Sequence, residues 1–182
     1  MTTVIGIDPS SRKLAAVVSV VGKEPQATVY TKPLPQDKPV ACLQAFEWVR
    51  NLVEIQEDDV YVFIELPVLG RGGPGSTIPQ AQINGALLAG AQMADAEVVP
   101  VNNSRVKKEV VGRGNANKDD IRDWVSKAWP VLYERIGGDQ DLCDSAMIYV
   151  YGKQVVERRN KIAKKKSLEG VTVKRRGKVA PQ

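Results

Sequence analysis

"TTVIGIDPSSRKLAAVVSVVGKEPQATVYTK", residues 2–32, carries three apolar stretches broken by two short polar ones. The stretches at 2–8, 13–21 and 27–32 read as strands, and "PSSR" and "GKEPQ" read as turns between them. Connections that short fold a strand back beside its predecessor, so the opening is an antiparallel meander. Further on the pattern changes. "PVACLQAFEWVRNLVEI" places Val40, Leu43, Phe46, Val49, Leu52 and Val53 at helical spacing and predicts an amphipathic helix with those residues inward. "VYVFIELP", residues 60–67, is a continuous apolar run of the kind found in buried strands. A glycine-rich loop, "GRGGPGS", follows, then a helix through "PQAQINGALLAGAQMA" and a short buried strand, "AEVVPV". The remainder is predicted helical: "SRVKKEVVG", capped by Asn103 or Ser104, then "KDDIRDWVSKAW", then a segment from near Asp139 through "DSAMIYVYGKQVVERR".

A meander followed by alternating strands and helices makes an α/β domain with a mixed central sheet flanked by helices. Its expected extent is residues 1–157. Beyond about Arg159 the helical period is lost, and residues 158–182 read as a basic C-terminal tail in which "GVTV" has the composition of a brief strand. The charge is correspondingly uneven. Of the formal +5, residues 153–182 hold eleven Lys/Arg against Glu157 and Glu169, while the rest of the chain is slightly acidic. Such a tail is a solvated arm able to meet a polyanion.

Composition excludes several chemistries. The chain has no histidine, which removes Ser-His-Asp and Cys-His nucleophiles, histidine zinc sites and an imidazole base. Cys42 and Cys143 stand far apart, without metal-binding or disulfide spacing. No apolar run reaches the ~18–20 residues of a membrane span, and the N-terminus enters a strand directly, so a cytoplasmic protein is expected. Catalysis would rest on carboxylates, lysines, hydroxyls or a hard metal ion. Aromatic residues amount to only 5%, and Trp48, Trp124 and Trp129 fall within helical patterns, where packing is their expected role.

Four carboxylates draw attention by position. Asp8 ends the first strand and Glu65 the fourth, while Asp141 and Asp144 in "DLCDSAMIYV" are three apart, on one face of a helix. Singly, each has an ordinary explanation as a turn, cap or edge residue. Together they suit a divalent ion, because one sheet can bring neighbouring strand ends together and a helix across it can add a pair. Oxygen ligands alone favour Mg2+ or Mn2+, and two such ions would clamp the attacking and leaving oxygens of a phosphodiester.

"IGIDPSSRKLAAVV", "VFIELP", "SRVKKEVVGRGNANKDDI" and "DLCDSAMIYV" resemble, in order and approximate spacing, the RuvC family of Holliday junction resolvases, which have an RNase H-like fold. The likeness spans about residues 3–155. It implies a homodimeric, Mg2+-dependent endonuclease that resolves four-way DNA junctions by paired nicks, with Asp8, Glu65, Asp141 and Asp144 as catalytic acids and metal ligands. The family's basic residues near the site carry over onto Lys107 and Lys118, and Lys118 is expected to stabilise charge at the scissile phosphate. Arg71, Lys108 and Arg113, with Lys164, Lys165, Lys166, Arg175 and Arg176 of the tail, are the further expected DNA contacts. The chain departs from the family pattern at Val68, where an aromatic residue is common, and in its glycine-rich loop. Small phage-encoded members would be a natural home for such a variant. Two other functions stay open on sequence: an RNase H-like nuclease acting on forks or flaps, and a non-catalytic module binding branched DNA.

Overall fold

β1 (Thr2–Pro9) is the centre of the molecule. It pairs antiparallel with β2 (Lys13–Val20) on one side and parallel with β4 (Asp59–Glu65) on the other. β3 (Thr28–Pro33) extends the meander, and β5 (Glu97–Val101) adds a parallel strand beyond β4, giving the order β3-β2-β1-β4-β5. The computed structural model describes residues 1–23, 26–67 and 73–168, with the side chains of Ser76 and Leu168 excepted. The mixed five-strand sheet flanked by helices is the expected α/β architecture.

Strand alternation sends side chains to two separate cores. Ile5, Ile7, Leu14, Ala16, Val62 and Ile64 face α1 (Lys38–Glu54) and α2 (Gly73–Met93). Val4, Ala15, Val17 and Phe63 face the other layer. That layer comprises α3 (Asn103–Val110), α4 (Lys118–Ala128), α5 (Pro130–Ile136) and α6 (Gln140–Leu168). α6 packs against the sheet at a point fixed by Gly6. A Cβ added there would lie 2.3 Å from the Tyr149 backbone nitrogen and 2.6 Å from the Ser145 carbonyl oxygen, so only glycine lets helix and strand backbones meet.

Several elements differ from the sequence reading. α1 matches the expected stripe only in its second half: Val49, Leu52 and Val53 are buried, joined by Ala41 and Ala45, while Val40 and Leu43 are 45% and 57% exposed. The alanines let α1 approach α2 and the sheet closely, and a reading weighted by side-chain bulk puts the first half of the stripe about one residue off. The expected glycine-rich loop is in part helix, since α2 begins at Gly73 and contains Pro79. β5 is an edge strand with only Val101 buried, which accommodates Pro100. Asn102, not Asn103 or Ser104, caps α3, its side chain accepting from the Arg105 amide. α5 has no counterpart in the sequence reading. α6 runs on to Leu168, through the expected loss of periodicity. Arg158 pairs with Glu109 and Arg159 with Glu97, after which residues 160–167 are all exposed. Trp124 and Trp129 pack against the α6-side core and Trp48 against the other. "GVTV" lies outside the described residues.

Candidate active site

The ladder Ile7↔Ile64 is the last rung between β1 and β4, so Asp8 and Glu65 are the next residues on two adjacent parallel strands. Asp8 shares its parity with Val4 and Gly6, and Glu65 shares its parity with Phe63; both therefore project to the α6 side. The first turns of α6 lie across this same end. Ser145 fastens the junction: its hydroxyl accepts from the Asp8 amide at 3.3 Å and donates to the Asp141 carbonyl at 2.8 Å. The close contact at Gly6 and this two-sided bond bring Asp141 and Asp144 to Asp8.

The acids feel one another. Burial, then Glu65, Asp144 and Asp141, push Asp8 well above the usual carboxylate range, and Lys118 opposes them. Burial also raises Glu65 and Asp144, with Lys107 pulling both down and Lys118 acting on Asp144. Four carboxylates and two ammonium groups thus share one electrostatic environment. Neutral donors steady two of the acids. Asn103 Nδ2 donates to Glu65 Oε1 at 2.7 Å, Gln140 Nε2 to Asp144 Oδ1 at 3.2 Å, and Asn84 Nδ2 to the Glu65 carbonyl at 2.6 Å. Asp141 is held by a cation, Lys13, whose Nζ is 3.0 Å from its Oδ2 and 2.7 Å from Asp139 Oδ2.

The amide residues also bear on whether a hydrated cation fits. With each nitrogen turned to the site, the side-chain oxygens of Asn84, Asn103 and Gln140 are buried without a hydrogen-bond partner. Buried orphan acceptors beside clustered carboxylates are poorly satisfied by protein alone, and the water shell of a divalent cation bound there would supply the missing donors. Among the described residues no group of three or more His, Cys, Asp or Glu side chains is arranged to hold a metal ion as it stands. With no cation between them, like charges favour separation of such oxygens. The donor set, all hard oxygen, fits Mg2+ or Mn2+. The nearby thiol takes no part: burial pushes Cys143 up to about 11, leaving it un-ionised.

The other expected contacts are placed variously. Lys118 opens α4 behind the Asn117/Asp120 capping box, and Lys107 Nζ donates to the Ala116 carbonyl at 2.9 Å, which ties α3 to the loop before α4. Lys108 is exposed on α3, whereas Arg113 is engaged with Asp120. Lys164, Lys165 and Lys166 lie on the exposed end of α6, about 30 Å from Asp144 at 1.5 Å per residue. Arg71, Val68, Arg175 and Arg176 lie outside the described residues. Asn103, Gln140, Ser145, Asn84 and Lys13 are site residues that sequence reasoning missed. "VNNS" held one usable signal: once the first asparagine caps the helix, the second is free to reach a neighbouring strand end.

Among the described residues no helix is long and apolar enough to cross a membrane. The family model described as crossover junction endodeoxyribonuclease RuvC matches residues 4–136, ending just before α6. Similar curated proteins include RuvC of Shewanella sp. (strain ANA-3), 23% identical over 130 residues, covering 70% of this chain and 74% of that one. RuvC of Actinobacillus succinogenes is 26% identical over 130 residues, covering 70% and 67%. In fold the chain is similar to Thermus thermophilus RuvC, with a TM-score of 0.65 and 18% identity over 87% of this chain and 96% of that one. It is also similar to the same protein in complex with Holliday junction substrate, with a TM-score of 0.62 and 19% identity over 85% and 96%. A strand-end acid pair, a helix laid across it and a family match over most of the chain agree: the protein belongs to the RuvC family of crossover junction endodeoxyribonucleases.

Proposed function

We propose that this chain resolves four-way DNA junctions by paired phosphodiester hydrolysis, with Asp8, Glu65, Asp141 and Asp144 holding two Mg2+ or Mn2+ ions. The observation that carries this reading is geometric: Asp8 and Glu65 stand at adjacent parallel strand ends, and the first turns of α6, bearing Asp141 and Asp144, are fastened across them by Gly6 and Ser145. Divalent ions bound there supply Lewis acidity and an activated water. The protein's part is placement. Asp8 and Glu65, fixed by the sheet, form one wall of the site, and Asp141 and Asp144 form the other. Four carboxylates alone would repel a phosphate, so Lys107 and Lys118 lower that barrier, and Lys118 is assigned to the charge that develops at the scissile group. Lys108 and the α6 lysines track the backbone outside the site, with Arg71, Arg113, Arg175 and Arg176 as further contacts.

Two nicks on opposite strands require two sites, so the working unit is a homodimer. Val40, Leu43 and Ile78 supply exposed apolar surface on the α1/α2 layer for its interface. The test is Asp8→Asn protein set beside wild type on four-way, forked, flap and linear DNA in Mg2+. Wild type is expected to nick the four-way junction symmetrically, while the variant binds it without cutting. Equal cutting of all substrates by wild type would favour a fork or flap nuclease, and cutting by the variant would remove Asp8 from the site.

A further inference from the structure

Asp141 is set apart from its three companions by what holds it. Glu65 and Asp144 accept from neutral amides, whereas Asp141 faces the ammonium of Lys13. Lys13 is well anchored. It opens β2, and its amide donates to Ser10 Oγ at 2.9 Å while its carbonyl accepts from that hydroxyl at 2.8 Å, closing the turn that follows Asp8. The same hairpin therefore presents one candidate ligand, Asp8, and a cation aimed at another. Asp139 sits 2.7 Å from the same ammonium and also accepts from the Leu142 amide, so it is fixed at the start of α6 as a second resting place for the charge.

An ammonium has donors and no acceptor, and at neutral pH it carries a full charge. Where it lies against Asp141 it occupies Oδ2, one of the two oxygens open to a divalent ion, and it repels the ion besides. We propose that Lys13 is a resident counter-ion that competes with the divalent cation for Asp141, with Asp139 receiving the ammonium when Asp141 is engaged. Lys13 is thus a positioning residue that sets the metal concentration at which all four acids act together. This rests on the acids forming the metal site proposed above.

The experiment is Mn2+ titration of the full chain by calorimetry and by loss of the free-ion electron paramagnetic resonance signal, without DNA, on wild type, Lys13→Met, Lys13→Arg, Asp139→Asn and Asp8→Asn. Lys13→Met keeps an apolar stem and removes the charge. It should bind Mn2+ more tightly by on the order of tenfold, the size of screened repulsion between a unit charge and a divalent ion a few ångströms apart. Lys13→Arg should stay near wild type. Asp139→Asn, which keeps the amide acceptor, leaves Lys13 to Asp141 alone and should weaken binding. Unchanged or weaker binding in Lys13→Met overturns the inference, since Lys13 would then be holding Asp141 in place for the ion. Tighter binding in Asp139→Asn overturns it independently, even where Lys13→Met fails to fold. Wild type that takes up no Mn2+, or Asp8→Asn that takes up as much as wild type, overturns the metal site itself and the inference with it.

Discussion

Replacing Gly6 with alanine tests how the site is built, because one added carbon acts on both the fold and the acids. The new Cβ would stand 2.3 Å from Tyr149 N, 2.6 Å from Ser145 O and 2.7 Å from Tyr149 Cα. Ordinary carbon contacts begin near 3.5 Å, so α6 must withdraw by roughly 1 Å. All three atoms are helix backbone, with no flexible side chain to swing aside, which puts the cost at the upper end of overpacking, about 3 kcal/mol. For a chain of this size that is a fall in melting temperature of about 6–12 °C. The withdrawal also stretches the bond from the Asp8 amide to Ser145 and moves Asp141 and Asp144 away from Asp8. A displacement of about 1 Å at reacting groups lowers turnover by on the order of a hundredfold. Circular dichroism melts and junction cutting measure the two effects separately. Gly85→Ala is the control: nothing lies within 4 Å of its added carbon on the exposed side of α2, and it should stabilise by about 0.5–1 kcal/mol. A Gly6→Ala protein that melts within about 2 °C of wild type and cuts normally would refute the close seating of α6 on β1.

Three further outcomes are expected. Burial and neighbouring acids raise Asp8, Glu65 and Asp144 in the folded chain. The folded state therefore binds more protons than the unfolded one between the ordinary carboxylate value and the raised value, and stability falls as pH rises through that window. Without metal, Asp8→Asn should melt higher than wild type at pH 7–8, and the gain should fade as the pH approaches about 4; an equal or lower melt at pH 7–8 would contradict the burial argument. Lys118→Ala should reduce turnover by about 10²–10³ with little change in junction affinity in single-turnover assays, and an affinity loss alone would make Lys118 a backbone contact only. Changing Lys164, Lys165 and Lys166 together to alanine should leave low-salt cutting intact and lower the salt slope of binding by up to about three, read from binding isotherms across salt concentrations.

The strand framework was legible because the meander and the run ending in Glu65 are written in local alternation and short turns, which depend little on distant contacts. The four acids were legible by position, at strand ends and three apart on a helix. What the pattern could not yield lies where two elements meet. The inward stripe of α1 is decided by how closely Ala41 and Ala45 let it approach, a property of the pair of surfaces. The hydrogen bonds from Asn84 and Asn103 depend on which side-chain atom reaches the end of β4 at Glu65, and that from Gln140 on how it meets Asp144 one turn along α6. Lys13 looked like a polar residue opening a strand, and only the docking of α6 reveals its partners, 126 residues away in the case of Asp139. The extension of α6 to Leu168 goes unseen because a solvated helix has no apolar period to display.

The bond between Asp8 and Ser145 closes a loop of 137 residues. At synthesis rates of about 5–20 residues per second, many seconds separate the emergence of the first acid from that of the last two. On the proposed site, a nascent chain therefore holds only half of its metal ligands until α6 docks, and it is expected not to nick nucleic acid before then. Docking of α6 would then be the arming step, and a polypeptide ending before Gln140 should be inert towards DNA in any concentration of Mg2+.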